Sequence, residues 1–132
     1  MAQRGIREYE GKKILFDGLA RTIPSFKGKS EKLALVKPDT DPKKLVKDHP
    51  WLLKEKLVAK PDQLFGKRGK HGLLCLNKDF KATWAWIAER MNKTVTVGKT
   101  TGELNVFMIE PFTPHAEDSE ECYVAIKASR DF

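Results

Sequence analysis

The spacing of apolar residues along the chain predicts three helices. Residues 7–19 place apolar side chains near a helical repeat, although two glycines interrupt it. Residues 41–49 begin with Asp-Pro, a pair that can cap and start a short helix. Residues 79–92 have the clearest helical pattern, and Asn77 is placed to cap them. Their apolar face consists of Phe80, Trp84, Ile87, Ala88 and Met91.

Short apolar or alternating segments predict strands between and after these helices. The segments are residues 32–36, 56–60, 73–77, 94–98, 105–112 and 121–129. Together with the helices they predict an α+β fold, a mixed α/β arrangement without an internal repeat. Because the last strand pattern ends close to residue 132, we expect the chain to be the front part of something longer.

The composition indicates one folded domain. The 132 residues are 40% hydrophobic and 33% charged, which is enough apolar material for a core. No segment approaches the ~20 apolar residues of a membrane span, and the first residues lack the apolar stretch of a secretory signal. We therefore expect a cytoplasmic protein with no membrane partner. Cys75 and Cys122 lie in apolar segments of strand type, and both are predicted to be reduced core residues.

The net charge of +7 indicates an anionic partner but does not identify it. A small nucleic-acid-binding module is one interpretation, since a basic patch is the usual electrostatic signature of such proteins. Against it, the sequence lacks the interleaved aromatic and basic strand pattern of RNA-reading domains. The distribution of the charges is more informative than their sum.

Basic residues and glycines are concentrated in residues 60–72, KPDQLFGKRGKHG, between two predicted strands. Glycines let backbone amides turn toward an anion, and the Lys and Arg side chains add positive charge at the same place. This combination is typical of phosphate binding. The glycines recur every three residues, at Gly66, Gly69 and Gly72, which fits neither a P-loop nor a dinucleotide-binding GxGxxG motif. Lys60 ends a strand before Pro61, so we expect its ammonium group to be held beside this loop.

A second segment, residues 109–115 (IEPFTPH), is a strand that continues into two prolines. Such a stiff segment can present main-chain amide and carbonyl groups to a flat ligand, with Phe112 packed beside it. His115 has no acidic partner at a catalytic spacing. The acidic residues at 117–121 are interpreted as a solvated turn.

Several of these segments resemble the amino-terminal, ATP-grasp portion of the ATP-citrate lyases. They are LVAKPDQLFGKRGKHGL, IEPFTPH, ECYVAIKASRDF, DHPWLL and IREYEGKKIL, and the resemblance covers essentially all 132 residues. It is strongest to the smaller subunit of the two-subunit form. More distantly, the chain is similar to the β subunit of succinyl-CoA synthetase, which has a related GKRGK loop.

The resemblance implies an ATP-grasp fold, of which this chain holds the first subdomain and the opening strands of the second. It divides the chain into a leading helix (residues 1–20), the first subdomain (21–112) and the incomplete start of the second (113–132). The resemblance also implies ligand contacts. Lys60 and Arg68 would contact ATP phosphates, with the Gly69 backbone in the same loop; Pro111 and Thr113 would lie at the adenine, and Glu121 at the ribose.

The implied reaction converts ATP, citrate and coenzyme A into acetyl-CoA, oxaloacetate, ADP and phosphate. By the same resemblance, the Mg²⁺ ligands, the citrate and CoA sites, the phosphorylated histidine and the cleavage module lie beyond residue 132. No catalytic or metal-binding residue is therefore expected within this chain, which should be inactive alone. Its expected partners are the rest of the ATP-grasp and citrate-binding regions and the larger lyase subunit or module, in an oligomeric enzyme. A succinyl-CoA or citryl-CoA ligase without the lyase module is the alternative within the same superfamily.

Overall fold

The computed structural model describes residues 5–27, 32–64, 71–119, 122 and 125. Three α-helices occur in these residues, α1 (Glu8–Thr22), α2 (Pro42–Asp48) and α3 (Phe80–Arg90). Short 3₁₀ helices cover Pro24–Phe26 and Pro50–Leu53. The strands of the described residues are β1 (Ala34–Val36), β2 (Leu57–Pro61), β3 (Cys75–Lys78), β4 (Thr94–Val97), β5 (Thr100–Glu103) and β6 (Phe107–Pro111). This is the mixed helix and sheet fold that the sequence predicts.

Four of the strands form one antiparallel sheet in the order β1-β6-β2-β3, and β4 and β5 form a separate hairpin. Strands β2 and β6 lie in the centre, where Ala59 is paired with Ile109 and Lys60 with Met108. Paired residues of antiparallel strands share a face of the sheet, and successive residues alternate between faces. Ala59 and Ile109 therefore lie on one face, while Lys60, Met108 and Glu110 lie on the other.

The first of these faces forms the hydrophobic core beneath α3. Ile87 of α3 is buried, and Trp86 packs edge-to-face on Phe107 with ring centroids 5.9 Å apart. Ala59, Phe107 and Ile109 are completely buried in the same cluster. Ile87 belongs to the predicted apolar face of α3, whereas Trp86 does not, and Ala88 of that predicted face is exposed.

The start of α3 differs from the prediction. Asp79, and not Asn77, caps the helix, since its Oδ1 accepts a hydrogen bond of 2.8 Å from the Ala82 amide. Asn77, in β3, has a positive φ of 56°. The register between β2 and β3 shifts here, since Leu57 is paired with Lys78 and the next residue, Val58, is paired with Leu76. Asn77 is therefore the extra residue of a bulge, a place where asparagine is well tolerated. The predicted cap of α2 is confirmed: Asp41 accepts from the Lys43 amide at 3.0 Å.

Two further predictions need correction. Cys75 is buried as predicted, but Cys122 is exposed and so is not a core residue. Strand β5, TTGE, was not predicted because it carries no large apolar side chain; it forms by pairing with β4. Residues 65–70 of the glycine loop and most of the predicted strand 121–129 lie outside the described residues. The division of the chain at residues 20 and 112 stays a prediction.

Among the residues that the structure describes, every helix is too short or too polar to cross a bilayer.

Candidate functional site

Helix α1 covers the second face of the sheet through polar contacts. None of its residues is buried, and two of its apolar residues, Ile14 and Leu15, are 65% and 53% exposed. The Tyr9 amide donates a hydrogen bond of 3.1 Å to Oδ1 of the buried Asp62, next to the end of β2. The helix is therefore present where the sequence predicts it, and its charged residues connect it to the sheet.

Four charged side chains form a network between α1 and the sheet, which we call the ionic cluster. It consists of Glu8 and Lys12 of α1, Lys60 of β2 and Glu110 of β6. Lys60 Nζ lies 2.6 Å from Glu8 Oε1 and 3.0 Å from Glu110 Oε1. Lys12 Nζ lies 3.0 Å from Glu8 Oε1 and 2.6 Å from Glu110 Oε2. Each carboxylate thus accepts from both ammonium groups.

The ionic cluster balances two positive charges with two negative ones in a partly enclosed place. The side chains of the four residues are only 13–28% exposed, and Lys60 is the least exposed of them. Burial lowers the pKa of Lys12, but its ion pairs with Glu110 and Glu8 outweigh this and leave that pKa raised. Lys12 is therefore an ammonium ion throughout the physiological range.

Lys60 is held in place, although by groups that sequence reasoning missed. Its expected anchor was Pro61, but the structure provides the carboxylates of Glu8 and Glu110. These residues are distant along the chain, so no local motif indicates them. The register of β2 with β6 is the signal that could have identified Glu110. Val58 is paired with Glu110, and Lys60, two residues after Val58, lies on the same face of the sheet.

A cavity of about 330 Å³ adjoins the ionic cluster. Pro111 and Thr113, the two residues expected beside adenine, both line it, as does Glu110. The other lining residues are Phe16, Lys32, Leu33, Glu55, Phe112 and Pro114. The Phe112 amide donates a hydrogen bond of 2.8 Å to the Lys56 carbonyl, which fixes this segment beside β2. Aromatic and proline surfaces with a few charged groups are the usual lining of a site for a flat polar ligand.

Glu110 joins the two parts of the site. Its carboxylate binds Lys60 and Lys12, and the residue also lines the cavity that contains Pro111 and Thr113. Lys60 is thus paired with Glu110, and Pro111 and Thr113 line the cavity that Glu110 also lines. Arg68, Gly69 and Glu121 lie outside the described residues, so their place in the site stays a prediction. His115 and the acidic residues Glu117 and Asp118 are exposed.

In residues 5–27, 32–64, 71–119, 122 and 125, no three His, Cys, Asp or Glu side chains come together as metal ligands would. Glu8 and Glu110 are close to each other, but lysines occupy their carboxylates.

Comparison with known proteins identifies the fold as that of an ATP-grasp domain, as the sequence resemblance implies. Residues 2–132 match the family described as the ATP-citrate synthase ATP-grasp domain. The chain belongs to this family. Among curated relatives, ATP-citrate synthases from Bos taurus and Homo sapiens are each 44% identical to it over 131 residues, 99% of its length. An ATP-citrate synthase alpha chain from Arabidopsis thaliana is 40% identical over 130 residues, 98% of its length.

Solved structures give the same result. ATP citrate lyase from Methanothrix soehngenii, determined in complex with citrate and coenzyme A, is 48% identical and superposes with a TM-score of 0.78 over 87% of this chain. The matched region is 27% of that structure. Likewise, the chain spans 12% of the mammalian relatives and 30% of the plant alpha chain.

Proposed function

We propose that this chain supplies a nucleotide-binding part of an enzyme that uses ATP to convert citrate and coenzyme A into acetyl-CoA and oxaloacetate. The observation that carries the proposal is the family match over residues 2–132, combined with a held lysine beside a cavity of suitable lining. The ionic cluster would receive the phosphate end of ATP, and the cavity would receive the adenine end.

The ammonium group of Lys60 suits a phosphate for two physical reasons. It is positioned by carboxylates, so little side-chain entropy is lost when an anion replaces one of them. It is also only 13% exposed, and reduced contact with water strengthens its attraction for an anion. Arg68 and the Gly69 backbone would add donors to the same phosphates, and Glu121 would accept from the ribose, as the family resemblance implies.

At the adenine end, Pro111 and Thr113 would contact the base. Pro111 is the last residue of β6, and Thr113 lies two residues beyond it, where the backbone has left the sheet. Phe112 and Phe16 offer aromatic surface in the same cavity. This arrangement would orient the base and direct the phosphates of the nucleotide toward Lys60.

The remaining chemistry would be supplied by other parts of the enzyme. Mg²⁺ would neutralise the charge that develops on the transferred phosphoryl group, and we infer that its ligands lie outside this chain. The same holds for citrate, coenzyme A, the phosphorylated histidine and the lyase module. The role of this chain would be to bind and orient ATP for that reaction, within an oligomeric enzyme and without turnover of its own.

Substitution of Lys60 by Met in the complete enzyme tests the proposal. We expect the KM for ATP to rise at least about tenfold, since one charge-assisted hydrogen bond is worth roughly 1.5–3 kcal/mol. The matched control is Lys56→Met, because Lys56 is exposed just before β2 and its described hydrogen bond uses only its carbonyl. An unchanged KM for ATP in Lys60→Met, with the fold intact, would contradict the proposal.

Neither alternative from the sequence is favoured. A nucleic-acid-binding module would lose affinity steeply with salt and would not be competed by ADP, and the family match gives it no support. A succinyl-CoA or citryl-CoA ligase would share the nucleotide site. The relatives of this chain are, however, named ATP-citrate synthases and ATP citrate lyases.

A further inference from the structure

The ionic cluster contains a second lysine to which the resemblance gives no role. We propose that Lys12 binds the phosphate tail of the nucleotide together with Lys60, and that Glu8 neutralises the two lysines when no nucleotide is bound. The proposal rests on the proposed function, since it concerns the phosphate end of the same site.

The geometry places the two ammonium groups within reach of one anion. Lys12 Nζ and Lys60 Nζ lie 3.0 and 2.6 Å from the same atom, Glu8 Oε1. They are therefore at most 5.6 Å apart, the sum of these two distances. One carboxylate oxygen already accepts from both lysines, so an oxygen of a phosphate group can do the same. Neighbouring phosphate oxygens can also bind the two lysines separately.

The charge balance requires one carboxylate to leave when phosphate binds. At present two lysines face two carboxylates, and a polyphosphate would add several negative charges to a partly enclosed place. Like charges close together in a partly enclosed place repel each other, although solvent reduces this repulsion for side chains that are partly exposed. Replacement of one carboxylate removes this repulsion and leaves both ammonium groups available.

Glu8 is the carboxylate that can be replaced. Glu110 is fixed by its place on β6, which is hydrogen-bonded to strands on both sides. Glu8 lies in the first turn of α1, a helix without a buried residue. A small movement of this turn, or a change of the Glu8 rotamer, would release both lysines without disturbing the sheet. Glu110 would remain to hold Lys60 and Lys12 in position.

A purely structural role is the competing explanation for Lys12. In that case the ionic cluster only attaches α1 to the sheet, and loss of Lys12 disturbs the whole site, including the adenine end. The two roles differ in which part of the nucleotide they affect. Comparison of ADP with adenosine separates them, because adenosine has the base and ribose but no phosphate.

The experiment measures dissociation constants of ADP and adenosine for the complete enzyme and its variants. We expect Lys12→Met to weaken ADP binding about tenfold, the effect of one charge-assisted hydrogen bond, while adenosine binding stays unchanged. Lys13→Met is the matched control, because Lys13 is the next residue of α1 and lines a separate surface depression with Tyr9, Glu10 and Ile14. It should change neither constant.

Glu8→Gln provides an independent test with the opposite sign. Loss of the neutralising carboxylate should tighten ADP binding several-fold and leave adenosine unchanged. Lys12→Arg keeps the positive charge and should retain most of the ADP affinity, so that it serves if Lys12→Met folds poorly.

Three results would overturn the proposal: equal weakening of ADP and adenosine by Lys12→Met, unchanged ADP binding in that variant, or weaker ADP binding in Glu8→Gln. Lys60→Met separates this proposal from the proposed function. If Lys60→Met weakens ADP binding and Lys12→Met does not, only the role of Lys12 is wrong. If neither variant weakens it, the assignment of the phosphate site is wrong as well.

Discussion

The two faces of the central sheet are built in opposite ways. On the α3 face, Phe107 and Ile109 are completely buried and pack with Ile87 and Trp86 in a continuous apolar core. On the α1 face, ion pairs connect the helix to the sheet, and a hydrogen bond connects it to Asp62 just after β2. The strands that carry these faces are the same, β2 and β6.

This difference separates stability from binding. An apolar interface is stabilising but offers no group to an anion, whereas a partly exposed ionic interface stabilises weakly and can exchange one partner for another. The α3 face therefore fixes the register of β2 and β6, and that register positions Lys60 and Glu110 on the opposite side. A substitution on one face should affect stability, and a substitution on the other should affect ligand binding.

Substitution on the α3 face should have the largest effect on stability. We expect Phe107→Ala to lower the free energy of unfolding by about 3–5 kcal/mol, because it removes a fully buried ring and leaves a cavity. Urea unfolding of the 132-residue chain, followed by tryptophan fluorescence, measures this change. Trp86 is a suitable probe since it contacts Phe107.

The smaller substitution Ile109→Val, in the same strand and equally buried, should cost about 0.5–1.5 kcal/mol. If Phe107→Ala does not fold, Ile109→Val still measures the contribution of the α3 face to the free energy of unfolding. A loss below about 0.5 kcal/mol in both variants would contradict the view that this face carries the core.

The α1 face should have a smaller effect, which depends on pH. The pKa of Lys12 is raised above its usual 10.5 in the folded chain, so the folded state retains this proton to a higher pH than the unfolded state. The stabilisation from Lys12 is therefore complete below about pH 10.5 and is lost as the pH rises through the folded pKa. Unfolding measurements from neutral to alkaline pH should show this loss.

Lys12→Met is the reference for that measurement, because other lysines and tyrosines also titrate at alkaline pH. The difference in unfolding free energy between the wild-type chain and this variant should shrink above pH 10.5. If it stays constant across the whole range, Lys12 is not held by Glu8 and Glu110 in the folded chain.

Local patterns in the sequence predict much of the fold. Local signals are present for the helices α2 and α3 and for the apolar strands β2 and β6. The predicted positions of these four elements agree with the structure to within a few residues. Strand β5 has no such signal, since its stability comes from pairing with β4. The sequence pattern favours Asn77 as the cap of α3, two residues before the true cap Asp79, because asparagine fits a bulge as well as a cap.

The site is less accessible to sequence reasoning. Lys60 and the segment 109–115 have local signals in the sequence, whereas the assignment of Pro111 and Thr113 to adenine comes from the family resemblance and stays a prediction. Nothing in the sequence around Glu8 and Lys12 distinguishes them from other charged residues of a helix. Lys12 contacts Glu110, which lies 98 positions further along the chain. Such a contact depends on how α1 packs on the sheet, which the weak and interrupted apolar pattern of that helix does not specify.

The most direct test of the central claim is a crystal structure of the complete enzyme with ADP bound. The account predicts phosphate oxygens within hydrogen-bond distance of Lys60 Nζ, on the face of the sheet opposite α3. A phosphate tail bound elsewhere, with Lys60 still paired to both Glu8 and Glu110, would contradict it.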